Sequence, residues 1–143
     1  MVSTRLWLAG EVREQRDMTL MQRLIERVRR CAAPRPLLIC PDGLVSSIRA
    51  IRETFRDPVH TGTGGRPWLR PWRQILIAQV VKRYERRRVV ETERRIVDGT
   101  PARVETLRRR SQGEGVINTA YIERLNATFQ QLIHEYAAGV RGR

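Results

Sequence analysis

At 143 residues the chain fits one folded domain, long enough to bury a core and short for a multidomain enzyme. Its 28 basic residues outnumber 15 acidic ones, giving a net charge of +13, and with Lys82 the only lysine the excess is arginine, whose planar fork matches phosphate oxygens. Two cysteines are too few for a disulfide framework, and no apolar run reaches membrane-spanning length. The composition points to a polyanionic partner in a reducing, unexported setting, with an arginine-rich solvated surface as the plainer account of the charge. Cys31 and Cys40 read as small buried residues.

Arg5 to Val12 reads as a strand, with Leu6, Leu8 and Val12 able to share a face. Asp17 is placed to cap a helix from Met18 to Cys31, along which Leu20, Met21, Leu24, Ile25, Val28 and Cys31 recur on one side and arginines on the other. Pro34 and Pro36 separate it from Leu37 to Cys40, an all-apolar run expected of a strand covered on both faces. Gly43 then turns the chain into a helix from about Val45 to Phe55. This alternation predicts an α/β domain.

Asp57 to Arg73 is rich in glycine and proline and reads as an exposed loop. Ile75 to Tyr84 and Arg88 to Val97 are β-branched runs around Glu85-Arg86-Arg87, which predicts a hairpin with arginines near its turn. Thr100-Pro101 suits the start of a helix through Arg110. A last helix follows Asn118 or Thr119, with Tyr121, Leu125, Phe129, Leu132, Ile133 and Tyr136 at helical spacing and Gly139 at its end.

Three groups of residues carry chemistry. Asp42 follows an apolar strand, so its carboxylate emerges where open α/β sheets place ligands, although Asp-Gly is also an ordinary turn pair. Glu123 lies one turn from Asn126 and two from Gln130 on the last helix, and reads either as a ligand or as a solvated partner of Arg124 or Arg27. Arg86-Arg87-Arg88, Arg94-Arg95 and Arg108-Arg109-Arg110 suit phosphate contacts, and Trp68, Trp72 and Tyr84 suit stacking on splayed bases; the alternative is a solvated face. Gly62-Thr63-Gly64-Gly65 lacks the lysine and following helix of a phosphate-binding loop.

Asp42-Gly43 after an apolar strand, Val80-Val81-Lys82-Arg83-Tyr84, Val89-Val90-Glu91-Thr92-Glu93-Arg94-Arg95 and above all Ile117-Asn118-Thr119-Ala120-Tyr121-Ile122-Glu123-Arg124-Leu125-Asn126-Ala127-Thr128 resemble the DDE transposases of bacterial insertion sequences, in particular the insertion sequence 1 type. The last stretch is the most specific, being similar to the Glu-Arg-x-Asn signature of these enzymes, and the similarity runs from Arg5 to about Gln131. The resemblance implies a ribonuclease-H-like core whose three carboxylates hold two Mg²⁺ or Mn²⁺ ions about 4 Å apart for in-line attack on a phosphodiester. Asp42 matches the second carboxylate and Glu123 the third, while Glu11, Glu14 and Asp17 do not match the first. Arg124 and Asn126 of the signature, with Arg86, Arg87, Arg88, Arg94 and Arg95, are the expected DNA contacts.

Residues 1–143 are thus expected to form one partial catalytic domain, lacking the first strands, with 57–100 as an inserted loop and hairpin. The implied reaction is cleavage and strand transfer at insertion-sequence ends, in a chain expected to be an inactive or partial fragment. The implied partners are those ends, target DNA and a second copy of the chain, with no membrane, in a cytoplasmic, nucleoid-associated setting. The alternatives are a non-catalytic arginine-rich nucleic-acid-binding protein derived from such a domain and an RNA-processing nuclease of similar fold.

Overall fold

The computed structural model describes residues 8–11, 13–15, 17–33, 35–60, 62, 64–112, 114–117 and 119–141, without the side chains of 112, 121 and 136–141. Helix α1 spans Met18–Cys31, and the Leu20 N–H donates to the Asp17 carboxylate at 2.8 Å, so one orphan donor of the first turn is satisfied as the sequence predicts. Met21 and Ile25 turn the apolar stripe of α1 into the core. Upstream, residues 8–11 are irregular where a strand is expected; the rest of that expectation lies outside the described residues. The reason is local: the Gly10 carbonyl accepts from Arg27 at 3.0 Å and the Glu11 carboxylate pairs with Arg27 at 2.9 Å, which ties this segment to α1.

Strand β1, Leu37–Ile39, leads through Asp42 and Gly43 to α2, Val45–Thr54. The expected loop at 57–73 instead contains an antiparallel pair, β2 (Arg56–Val59) and β3 (Trp68–Pro71). Proline removes a donor, yet a two-stranded ladder has outer edges on which a missing N–H costs nothing, so Pro58 and Pro71 are accommodated. The hairpin is present as predicted: β4 (Ile75–Glu85) and β5 (Arg88–Asp98) pair antiparallel, with Arg86 and Arg87 both at positive φ. Helix α3 spans Pro101–Gln112 and α4 spans Ala120–Arg141. The last helix runs through Gly139, because an interior glycine costs only about 1 kcal/mol of helix propensity and does not by itself stop a helix.

The main sheet has the order β1-β4-β5, with β1 parallel to β4. Alternation along these strands builds two cores. Leu37, Ile39 and Ile77 face Met21, Ile25, Ala50, Ile51 and Phe55 of the α1/α2 side, whereas Leu38, Cys40, Leu76, Ala78 and Val80 face Val104 of α3 and Ile117. The result is a mixed α/β arrangement with helices on both faces of a mixed sheet. Covering on both faces is why Leu76 to Val80 is buried without a break.

Two packing expectations are corrected. Cys31 is exposed at the last turn of α1, and only Cys40 is partly buried, where burial pushes its thiol up to about 11. The apolar stripe of α4 reads as core by its spacing, yet Phe129, Leu132 and Ile133 are exposed. No helix among the described residues is long and apolar enough to cross a membrane.

Candidate active site and nucleic-acid surface

The main chain at Asp42 and the carboxylate of Glu123 both meet residues 79–82 of β4. On one side, the Pro41 carbonyl accepts from the Val80 N–H at 3.0 Å, so parallel pairing continues past β1, and the Asp42 carbonyl accepts from the Gln79 amide at 2.8 Å. A Cβ on Gly43 would stand 3.6 Å from Val81 Cγ1, which shows how closely the turn passes the strand. The Asp42 carboxylate accepts from the Leu44 N–H at 3.3 Å, an Asx turn leading into α2. On the other side, the Lys82 ammonium lies 2.6 Å from both Glu123 oxygens. The Asp42 turn and the Glu123 carboxylate therefore both contact residues 79–82 of one strand.

The local setting of Glu123 begins with Thr119, immediately before α4. Its carbonyl accepts the Glu123 N–H at 3.0 Å, and its hydroxyl donates to the Glu123 carboxylate. The Glu123 carboxyl is held below its usual range, first by Lys82 and then by Thr119, against a burial penalty. Its partner is neither Arg124 nor Arg27. A long-range pairing of this kind leaves no local signal, although a single lysine among so many arginines is itself a clue.

Gln79 is the second residue that sequence reasoning missed. It is fully buried, and both ends of its amide serve alignment: the nitrogen donates to the Asp42 carbonyl while the oxygen accepts from Arg95 Nε and Nη2 at 2.9 and 2.6 Å. A polar amide within Leu76-Ile77-Ala78-Gln79-Val80 was the available clue.

The arginines sort by their bonds. Arg94 donates to the Ile117 carbonyl at 2.6 Å and fixes the approach to α4, and Arg95 holds Gln79. Arg108 and Arg109 both pair with Glu105 at 2.7 Å, which lowers that carboxyl to about 2. Arg86, Arg87 and Arg88 are exposed at the hairpin tip with no side-chain hydrogen bond or ion pair among the described residues, and Arg124 and Asn126 are exposed on α4. Of the aromatics, Trp72 is half-buried, edge-on to Phe55 at 5.2 Å with Arg29 at 5.6 Å over its ring, so it is not offered for stacking; Trp68 and Tyr84 are exposed.

The residues present fall short of a two-metal centre. Among the described residues no three His, Cys, Asp or Glu side chains gather, Glu11 is taken by Arg27, and Asp17 caps α1. No protein-family model, curated protein or solved structure matches the chain.

Proposed function

We propose that the chain is part of the catalytic domain of a DDE transposase of the insertion sequence 1 type, with a ribonuclease-H-like core, and that it binds the phosphates of DNA. The observation that carries this reading is that the Asp42 turn, held at a strand end through its main chain, and the Glu123 carboxylate, from the final helix, both contact residues 79–82 of β4. Alternation adds support: Leu38 and Cys40 share the face of Val80, and the same parity, continued, assigns Asp42 and Lys82 to that face. In the complete centre Asp42 and Glu123 would supply two of three carboxylates to Mg²⁺ or Mn²⁺. Two carboxylates alone do not form the clamp that in-line displacement needs, so strand transfer is not assigned to these residues unaided. Arg86, Arg87, Arg88, Arg124 and Asn126 are the proposed DNA contacts, at insertion-sequence ends and target, in a cytoplasmic, nucleoid-associated protein able to self-associate; Arg94 and Arg95, expected from the sequence to join them, are instead engaged with Ile117 and Gln79.

The Lys82–Glu123 pair favours a second reading, a non-catalytic nucleic-acid-binding descendant in which the ammonium permanently neutralises the acid. Line broadening by Mn²⁺ separates the two. The transposase reading expects selective broadening of amide resonances around both Asp42 and Glu123, abolished by Asp42→Asn or Glu123→Gln. Broadening at neither acid, with salt-sensitive DNA binding intact, would leave the non-catalytic reading. For DNA itself, log K is expected to fall by about 0.9 per log salt for each phosphate neutralised, with a flatter slope in an Arg86→Ala, Arg87→Ala, Arg88→Ala variant.

A further inference from the structure

The β2–β3 ladder, away from both acids in sequence, borders an open cleft of about 360 Å³. Three of its lining side chains are Arg35, Arg70 and Arg73, exposed and without a side-chain hydrogen bond or ion pair among the described residues. Arg35 and Arg73 have no acidic partner among the described residues, and Arg70 shares Asp57 with Arg29, so cationic groups outnumber the acid around this cavity and an oxyanion relieves their mutual repulsion while taking up planar donors. The one carboxylate in the lining, Asp57, is already engaged: Arg29 pairs with it at 2.8 Å, and its carboxyl is held below the usual range, first by the Trp72 indole N–H, then by Arg29 and, at longer range, by the charge of Arg70. That N–H is buried and, although it faces Asp57, forms no well-aligned hydrogen bond. The cleft wall is therefore a fixed unit, with Trp72 clamped between Phe55 and Arg29.

The register of the ladder supplies the second element. Arg70 stands opposite Asp57 and Trp68 opposite Val59, so Arg70 and Trp68, two residues apart on β3, present their side chains to the same face. Two strand residues span about 7 Å, close to one nucleotide step of an extended strand. Trp68 is 68% exposed, an unusual state for an indole unless it has something to stack on. Duplex DNA offers its phosphates to such a cleft but keeps its bases stacked inside; a single strand offers both.

We infer that this cleft and Trp68 form a single-strand nucleic-acid site, in which Arg35, Arg70 and Arg73 hold a backbone phosphate and a neighbouring unpaired base stacks on Trp68. The inference rests on the nucleic-acid part of the proposed function and is independent of Asp42 and Glu123.

The test is fluorescence anisotropy with labelled oligothymidylate of about 12 nucleotides and with a duplex, using the whole chain and variants whose circular dichroism matches it. Trp68→Ala is expected to weaken single-strand binding about 5- to 150-fold and to leave duplex binding unchanged, with partial rescue in Trp68→Phe. Arg35→Ala, Arg70→Ala and Arg73→Ala together are expected to weaken single-strand binding and to flatten its salt dependence by about 0.7 in log K per log salt for each phosphate no longer neutralised. Unchanged single-strand affinity in both variants, with binding abolished in the Arg86→Ala, Arg87→Ala, Arg88→Ala variant, overturns the cleft while the nucleic-acid reading stands. Failure of the unmodified chain to bind any DNA overturns both. Displacement of the oligomer by thymidine monophosphate or inorganic phosphate at an equal concentration of phosphate groups overturns the polymer assignment and makes the cleft a small-anion site.

Discussion

At its base, from Leu76 to Val80, the β4–β5 hairpin is closed to water on both faces of its inner strand, whereas from Arg83 to Val90 every residue is exposed. Both ends are rich in residues that favour strands, and both are paired with one register shift each, at Ile77/Ala78 and at Arg83/Tyr84. What differs is the number of layers around them: helices cover the base on each side, and the tip reaches beyond them. The base holds the fold, the tip carries unpartnered arginines, and Gln79 and Lys82, which meet the two candidate acids, lie at the passage from one to the other.

Truncation in the core is the strongest way to break this comparison. Ile77→Ala is expected to cost about 2–5 kcal/mol in urea unfolding, and Val90→Ala at the tip no more than about 0.5 kcal/mol. Equal losses would mean that the hairpin is stabilised along its whole length rather than at its base. Gln79→Leu comes next. It leaves the Asp42 carbonyl and the Arg95 guanidinium without their partner, for an expected loss of about 1–3 kcal/mol together with shifts in the amide resonances of the Asp42 turn. An apolar replacement that is neutral, with the turn unmoved, would remove Gln79 as its anchor.

The tip should respond with the opposite sign. Arg86 and Arg87 have φ of 46° and 67°, the left-handed pair of a tight hairpin turn that Asn-Gly occupies at lower cost. Arg86→Asn with Arg87→Gly is expected to stabilise the chain by about 1 kcal/mol and to weaken DNA binding. A gain in stability without a loss of affinity would separate the tip from the nucleic-acid surface.

The smallest effect is electrostatic. The Glu105 carboxyl is lowered from 4.5 to about 2 by Arg108 and Arg109, so its contribution is complete above about 4.5 and is lost as pH falls through about 2. Because the group is exposed, the gain in melting temperature across that window should be slight, and NMR titration of the Glu105 carboxyl is the direct measurement. A midpoint near 4.5 would mean that the pairing is absent in solution. In the same spectra, Lys82→Met should raise the Glu123 carboxyl back toward its usual range.

Local physics made much of the fold legible. Asp17 and the spacing of Met21 and Ile25 define α1 within a few residues of chain, and the hairpin announces itself by two β-branched runs about an arginine turn. The β2–β3 pair was hidden because Pro58, Pro67 and Pro71 argue against strands unless it is known that the ladder has free edges. For the site, the sequence marked Asp42 and Glu123 by position but not the side chains that hold them, because Gln79 is 37 residues from Asp42 and Lys82 is 41 from Glu123. Helical spacing on α4 specifies an apolar stripe and says nothing of what covers it, which is why Leu132 and Ile133 read as core and stand exposed.

One consequence of the Lys82–Glu123 contact concerns chemical labelling. These 143 residues contain a single side-chain amine, and it is only 20% exposed and clasped by a carboxylate. An amine that is protonated, ion-paired and shielded is a poor nucleophile, so acylating reagents should modify Lys82 slowly in the folded chain and rapidly once the pair opens. The chain thus carries its own reporter. Any ligand that draws Glu123 away should speed acylation at one mass-resolved position, without a fluorophore or an introduced residue.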